Sequence, residues 1–397
     1  MYYANKKTVE DLDVAGKRVL VRCDFNVPIV EGQITDDLRI RESLKTIKYL
    51  IQKNAKIIMC SHFGRPTKVA PEFSLALVVK RVEKIIGCPV KLAKDSIGAD
   101  AKALVENIKE GELVLLENLR FQKEETENSP EFAKKLASLA DFFVNDAFGA
   151  AHRAHASTVG VCKFLPSAIG YLMQKELDTI SQAINSPKRP LVSILGGAKV
   201  SDKIGVIHSL LNKVNTVILG GGMAYTFAKA NGFEIGTSIC EEDKLDLAHD
   251  IMKQAQEKNV KLLLPTDYVV ATGFRNDAEF KTVPVSQIPP DYMGMDIGPQ
   301  TANTFSKAIR ESAGGTVIWN GPLGVCEFPN FAKGTKQLAQ TISETDMISI
   351  IGGGDAAAAV TQMNLSEKIT HISTGGGSCL HLLEGMELPA VAAISIK

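Results

Sequence analysis

Four arginines in the first half of the chain, Arg39, Arg65, Arg120 and Arg153, and four glycine clusters in the second half are the residues whose types and spacing could do chemistry. The clusters are Gly196-Gly197, Gly220-Gly221-Gly222, Gly352-Gly353-Gly354 and Gly375-Gly376-Gly377, each following an apolar, β-branched run. Glycine lets a backbone turn sharply and come close to a ligand, so such strand ends suit a polyphosphate held by amide groups. Guanidinium forks suit a second anion. The asymmetry predicts one anion site in each half.

In DFNVP the polar pair Asp24 and Asn26 follows the first apolar run, and Arg39 stands in TDDLRIR at a helix start. The helix macrodipole disfavours a cation there by about 0.3–1 kcal/mol unless an anion offsets it. Pairing with Asp36 or Asp37 is the plainer alternative. His62 and Arg65 in SHFGRP, Arg120 in ENLRF, and His152 and Arg153 in AHRAHAS follow further runs. Alone, each such arginine reads as a surface ion pair and each histidine as a structural residue. Four arginines at one sheet edge imply a small, multiply charged anion. His152 and His155 lack the companion ligands of a metal site.

The second half opens its chemistry with SILGGAKVSDKIGV, where Lys199 and Lys203 read as i,i+4 neighbours at the opening of a helix. Like charges at that spacing repel by about 0.2–0.5 kcal/mol, and a bound polyphosphate would reverse the penalty. Ordinary surface lysines are the competing reading. IIGGGDAAAAV presents the amides of Gly353 and Gly354 and then Asp355, either as an N-cap or as a ligand of nucleotide-borne Mg²⁺. Glu327, after WNGPLGVC, has the character to accept from ribose hydroxyls. No GxxxxGK[ST] string occurs. Gly352, Gly354 and Ala357 satisfy a loose dinucleotide pattern, but the following HIST run ends without the acidic residue a ribose needs, which leaves a dehydrogenase as the lesser alternative.

The elements that must carry these residues are legible as alternation. RVLVRCD, KIIMCSH, PVKLAK, ELVLLEN and FFVNDAF, then LVSILGG, TVILGGG, KLLLPTDYVV, GTVIWNG, MISIIGGG and HISTGGG, read as strands buried on both faces of a parallel sheet. Helical stretches such as DLRIRESLKTIKYLIQKN and KLDLAHDIMKQAQEKN separate them. The fold class is α/β, with ligands at the carboxyl ends of the strands. At 397 residues the chain exceeds one ordinary core, and the division is expected near Ser186–Pro190, after a joining helix. Over residues 1–185 there are 27 Lys and Arg against 24 Asp and Glu, and 18 against 21 beyond, which excludes a strongly basic nucleic-acid binder. Seven scattered cysteines without a CxxC pair suggest neither a disulfide framework nor a zinc site. With no apolar leader or span in the sequence, the expectation is a cytoplasmic protein without membrane or nucleic-acid partners.

DFNVP, ITDDLRI, SHFGRP, ENLRF, NDAFGAAHRAHAST, GGAKVSDK, GGGMA, MDIGP, WNGPLGVCEF, IGGGD and STGGGS, in this order along nearly the whole chain, closely resemble the phosphoglycerate kinase family. The resemblance implies two doubly wound, Rossmann-like parallel-sheet domains joined by a helix and hinge. It places a 3-phosphoglycerate domain at 1–170, an interdomain helix and linker at 171–188, and a nucleotide domain at 189–375, with 376–397 returning to the first domain. It implies reversible phosphoryl transfer from 1,3-bisphosphoglycerate to ADP, giving 3-phosphoglycerate and ATP, by a monomer using Mg²⁺ as MgADP or MgATP. Motif by motif, Asp24, Asn26, Arg39, His62, Arg65, Arg120 and Arg153 would hold the glycerate. Gly197, Lys203, Gly221, Gly294, Asn320, Pro322, Glu327, Gly353, Gly354, Asp355 and Ala356 would hold the nucleotide, with Asp355 on the metal. Arg39, Lys199, Gly354 and Gly376 would act on the transferred phosphoryl group. Two positions depart from the family: Ala356 stands where Ser or Thr is usual, and His381 where Glu is common. A catalytically silent nucleotide-binding protein on the same fold is the rival from another class.

Overall fold

The computed structural model describes residues 3–397. The chain forms two compact units, one running to Asp178 and including Glu387–Lys397, the other Thr179–Met386.

In the first unit β1 (Arg18–Arg22), β2 (Lys56–Cys60), β3 (Val90–Leu92), β4 (Leu113–Leu115), β5 (Phe142–Asn145) and β6 (Ser167–Ile169) form one sheet in the order β3-β4-β2-β1-β5-β6. Every pairing is parallel. Both faces are covered, which is why the strand sequences are apolar without alternation. Val19, Val21, Ile57 and Met59 face helices Leu38–Gln52 and Ala76–Ile86, which contribute Ile40, Ile47, Leu50, Val78 and Val82. Leu20, Ile58, Val114 and Phe143 are buried on the other face. The five runs expected in this half all form strands. The sixth, β6, edges the sheet, and its Ser167-Ala168-Ile169 sequence lacks the run of large apolar residues that marks the others.

In the second unit β7 (Leu191–Leu195), β8 (Thr216–Leu219), β9 (Lys261–Leu263), β10 (Thr316–Asn320), β11 (Ile348–Gly352) and β12 (His371–Ile372) form a parallel sheet in the order β9-β8-β7-β10-β11-β12. Its core joins Val192, Ile194, Val317, Trp319 and Ile351 to Phe305, Leu338 and Val360 from the covering helices. KLLLPTDYVV, read as one strand, is two: β9 ends at Leu263, and beyond Pro265 the chain enters strand Asp267–Ala271. That strand is the centre of a separate antiparallel sheet, flanked by Phe280–Pro284 and Met293–Ile297.

The units divide within helix Tyr171–Asn185 rather than at the prolines after it. The returning segment also starts later than Gly376. Helix Gly376–Glu384 packs on helix Ile204–Leu210 in the second unit, with the Glu384 side chain filling the space beside Gly205. Only Glu387–Lys397 joins the first unit. There Lys6 Nζ donates to the carbonyls of Ala392 (2.6 Å) and Ile394 (2.9 Å), and Ala390 N donates to Ala151 O.

The buried Asp146, just past β5, caps helix Tyr171–Asn185, which begins after β6. Asp146 Oδ1 accepts from Leu172 N (3.0 Å) and Met173 N (3.2 Å). Gly170 lies so close that a Cβ there would overlap the Asp146 carboxylate. Gly170→Ala should therefore displace that cap and cost about 2–3 kcal/mol, read as a lowered urea midpoint by far-UV circular dichroism. Gly273→Ala, with only the Arg275 side-chain tip 3.8 Å away, should leave the midpoint nearly unchanged. Equal midpoints for the two variants would refute the steric argument.

Candidate active site

The carboxyl ends of β1, β2, β4 and β5 carry the first site. Asp24 and Asn26 follow β1, His62 and Arg65 follow β2, Arg120 follows β4, and Arg153 lies in the loop after β5. With Arg39, Gly64, Gly149 and Ala150 they line a pocket of about 330 Å³. All seven residues expected to hold an acidic ligand are thus in one wall.

The pocket is held open by hydrogen bonds, mostly to backbone carbonyls, that orient the cations and offset only part of their charge. Arg39, the second residue of helix Leu38–Gln52, does not pair with Asp36 or Asp37. Its Nη1 donates to Asn26 O (2.8 Å) and meets Asp24 Oδ1 at 3.3 Å. Asp37 is engaged instead by Arg41, 2.9 Å away, and by Arg81. Asn26 Oδ1 accepts from Gly64 N (2.8 Å), and Arg120 Nη1 donates to Gly64 O (2.6 Å). Burial would raise the Asp24 carboxyl, but Arg39, His62 and Arg22 outweigh it and hold Asp24 below the usual carboxylate range. Burial, then Arg22 and Arg153, bring Arg120 down to about 10, so it remains a cation at neutral pH. Burial, with Arg22, Arg120 and Arg39 around it and only Asp24 opposing, pushes His62 well below an ordinary imidazole. At pH 7 His62 is neutral.

Three residues that sequence reasoning passed over organise this wall. Asn118 is fully buried; its Nδ2 donates to Phe63 O (2.7 Å) and Phe73 O (2.8 Å), while its Oδ1 accepts from Phe63 N and Arg120 N. It thereby ties the His62–Arg65 loop to the Arg120 turn. Arg22 and Glu125 are also fully buried behind the pocket. Arg22 carried a signal: a charge closing an apolar run that is otherwise buried on both faces. Glu125, within the charge-rich KEETE, carried none.

In the second unit the glycine clusters follow β7, β8, β11 and β12. Gly196, Gly197, Lys199, Lys203, Asn320, Pro322, Gly353, Gly354 and Asp355 line a polar pocket of about 220 Å³. A more apolar pocket of about 440 Å³ shares Gly197, Pro322 and Asp355 and adds Gly221, Tyr225, Gly294, Leu323, Val325 and Glu327. One suits phosphates and the other a base and ribose. Ala356 is fully buried and faces the core rather than either pocket, and Gly376 begins the helix after β12.

Much of the glycine requirement comes from the loops themselves. A Cβ on Gly196 would overlap the Pro322 carbonyl, one on Gly221 would sit 2.7 Å from Gly197 N, and one on Gly376 would sit 2.9 Å from Gly353 Cα. The strand-end loops thus pack backbone to backbone. Two expectations change. Helix Ile204–Leu210 starts only after Lys203, because Ser201, whose N donates to Glu241 Oε2 (3.0 Å), holds residues 201–203 in a turn; Lys199 is outside the helix and the i,i+4 repulsion does not arise. Gly353, with φ 92°, is the N-cap of helix Gly354–Gln362, which leaves the Asp355 carboxylate uncommitted to capping. Burial and the Glu327 carboxylate raise Asp355 above an ordinary aspartate.

The description "Phosphoglycerate kinase" matches residues 9–386 of the chain. The chain belongs to the phosphoglycerate kinase family. A phosphoglycerate kinase of Clostridium kluyveri is 56% identical over 397 residues, covering 99% of each chain, and one of Clostridioides difficile is 54% identical over 402 residues, covering both completely. The phosphoglycerate kinase structure from Coxiella burnetii superposes with a TM-score of 0.81 at 39% identity, and that from Pyrococcus horikoshii with 0.86 at 30%, each covering 98% of both chains. The enzyme is a phosphotransferase that moves a phosphoryl group between 1,3-bisphosphoglycerate and ADP in glycolysis. No helix among the described residues is long and apolar enough to cross a membrane.

Lys203 Nζ donates to Asn320 Oδ1, and burial brings the amine down to about 8. Only the protonated amine attracts phosphate, so nucleotide affinity should be full below that value and weaken as pH rises through 8, by up to about tenfold per unit. Lys203→Arg, charged throughout this range, should abolish that limb in a plot of nucleotide KM against pH. A limb that persists in the variant assigns the titration to another group.

Proposed function

We propose that the arginine pocket of the first unit holds 3-phosphoglycerate or 1,3-bisphosphoglycerate, that the glycine-lined pockets of the second unit hold ADP or ATP, and that hinge closure lets the bound substrates react in line. The observation that carries the reading is the set of four guanidinium groups in one pocket whose buried acid, Asp24, offsets only part of their charge. A phosphate and a carboxylate on one small molecule would supply the missing negative charge. A cytoplasmic, magnesium-using monomer is the accompanying reading, carried over from the family resemblance.

The chemistry needs little beyond placement and charge. In the ATP-consuming direction the acceptor is a carboxylate, already ionised at pH 7, so no general base is required. The migrating phosphoryl group keeps its negative oxygens throughout, and Arg39, Lys199 and the amides of Gly354 and Gly376 are the groups that would stabilise them. Gly354 and Gly376 each begin a nine-residue helix, where backbone N–H groups lack intrahelical partners. Lys203 would hold a nucleotide phosphate, Glu327 the ribose, and Gly294, pressed against the Tyr225 ring, would form a wall for the base.

The site chemistry fits a cation that arrives with the nucleotide. Among the described residues no group of three or more His, Cys, Asp or Glu could form a protein cage for a metal. Asp355, one of two carboxylates at the phosphate pocket with Asp202, is raised by burial and Glu327, and so favoured by a nearby positive charge. It would hold Mg²⁺ whose remaining ligands are phosphate oxygens and water. The ion would screen the nucleotide's negative charge.

Arg39→Ala should lower kcat by about 10²–10³ while the KM for 3-phosphoglycerate changes only a few fold, because the proposed contact strengthens in the transition state. A pure rise in KM at normal kcat would remove Arg39 from the catalytic role. Closure is tested separately by solution scattering: with 3-phosphoglycerate and a nonhydrolysable MgATP analogue the radius of gyration should fall below that of either binary complex. An unchanged radius counts against hinge closure.

A further inference from the structure

We infer that Glu125, although it does not line the arginine pocket, is a positioning residue of the glycerate site that acts through Ser157 and Arg22 to fix His62 as a neutral donor bearing its proton on Nε2. The inference deepens the assignment of the arginine pocket proposed above and rests on it for its kinetic consequence.

The chain of contacts has a direction set by chemistry. Arg22 Nη2 lies 3.2 Å from His62 Nδ1. A guanidinium only donates, so Nδ1 must be the unprotonated, accepting nitrogen. The ring proton then resides on Nε2, the remaining polar atom of a side chain that lines the pocket. Arg22 is held in place from its other side, because its Nε donates to Ser157 Oγ (2.8 Å) and its Nη1 to Cys23 O. Having accepted from Arg22, the Ser157 hydroxyl donates to Glu125 Oε1 (2.5 Å), and Ser157 N donates to Glu125 Oε2 (2.9 Å). Both Glu125 oxygens therefore accept, as a carboxylate's should. His155 Nδ1 stands 3.9 Å from Glu125 Oε1, and Ala156 N donates to Glu125 O.

Charge leads to the same arrangement. Arg22, Ser157 and Glu125 are completely buried, and an unpaired guanidinium in that setting would be strongly unfavourable. Glu125 is the acid reached through Ser157, whereas Asp24 faces His62 and Arg39 from the pocket side. The groups around the His62 ring are Asp24 in the loop after β1, Arg22 at the end of β1, Arg120 after β4 and Arg39 on helix Leu38–Gln52. Were Arg22 released, Nδ1 would lose the donor that keeps it an acceptor, and His62 would lose its fixed tautomer.

The test reads the tautomer and the kinetics together. Long-range ¹H–¹⁵N spectra, with the His62 signals assigned by their loss in His62→Asn, should show wild-type Nδ1 unprotonated and the ring not titrating between pH 5 and 8. In Glu125→Gln the carboxamide either presents its NH₂ group to the Ser157 N–H, donor to donor, or donates to Ser157 Oγ and leaves the serine O–H without the acceptor it had. The His62 pattern should then shift towards mixed tautomers, and the KM for 3-phosphoglycerate should rise about tenfold while that for ATP stays within about twofold. Should Glu125→Gln not fold, Ser157→Ala, which keeps both charges and removes only the bridge, is expected to show the same two changes. A folded variant with wild-type His62 signals and unchanged glycerate KM overturns the inference. If added 3-phosphoglycerate leaves the wild-type His62 signals unmoved, the pocket assignment fails instead, while the tautomer result still judges the relay.

Discussion

Like charge held at close quarters is the constraint on which the first unit depends. Five guanidinium groups and an imidazole gather around the carboxyl ends of β1, β2, β4 and β5, and the buried acids that face them are Asp24 and Glu125, while the buried Asp146 is turned to the helix it caps. Such a cluster must be kept from neutralising itself and from flying apart. The structure does both with hydrogen bonds to neutral groups: Arg39 on Asn26 O, Arg120 on Gly64 O, Arg22 on Ser157 Oγ and Cys23 O. A carbonyl fixes a guanidinium's direction but leaves its full charge available to a ligand. The doubly covered parallel sheet supplies the rigid edge from which these carbonyls project.

The second unit is suited to a polyanion by another means. Its cations at the polar pocket are few, Lys199 and Lys203, and one of them is buried enough to hold its proton less tightly. Backbone amides would do the rest, and they require loops that nest without side chains between them. The contacts of Gly196 with Pro322, Gly221 with Gly197 and Gly376 with Gly353 meet that requirement before any ligand is present. The same residues therefore answer two demands, loop packing and phosphate approach. A substitution at one of them would disturb the empty enzyme as well as the loaded one.

The parts of this organisation legible in sequence are those written as repetition. Apolar runs marked eleven of the twelve strands of the two parallel sheets, and the arginine and glycine sets were found because each recurs at successive strand ends. What escaped was written as single residues or as distance. Arg22 closes an apolar run and passes for its polar end, Glu125 hides in KEETE as a solvated charge, and Asn118 is one more loop residue, although all three are fully buried. The late helix start after Lys203 depends on Glu241, forty residues away, and the packing of helix Gly376–Glu384 on helix Ile204–Leu210 depends on a pairing across the unit. No local pattern encodes such partners.

The neutrality of His62 also has a kinetic logic. A protonated imidazole would add one more cation to a pocket proposed to attract substrate and product alike, and attraction common to both ground states and the transition state does not raise turnover. It would also deepen the well from which 3-phosphoglycerate must escape when ATP is being made. A neutral Nε2–H still reads an oxygen's position through a directional hydrogen bond, at little cost in added charge. Placing Arg22 behind the ring, with Glu125 reached through a serine rather than directly, keeps the imidazole a reader of geometry and leaves the charge to the arginines.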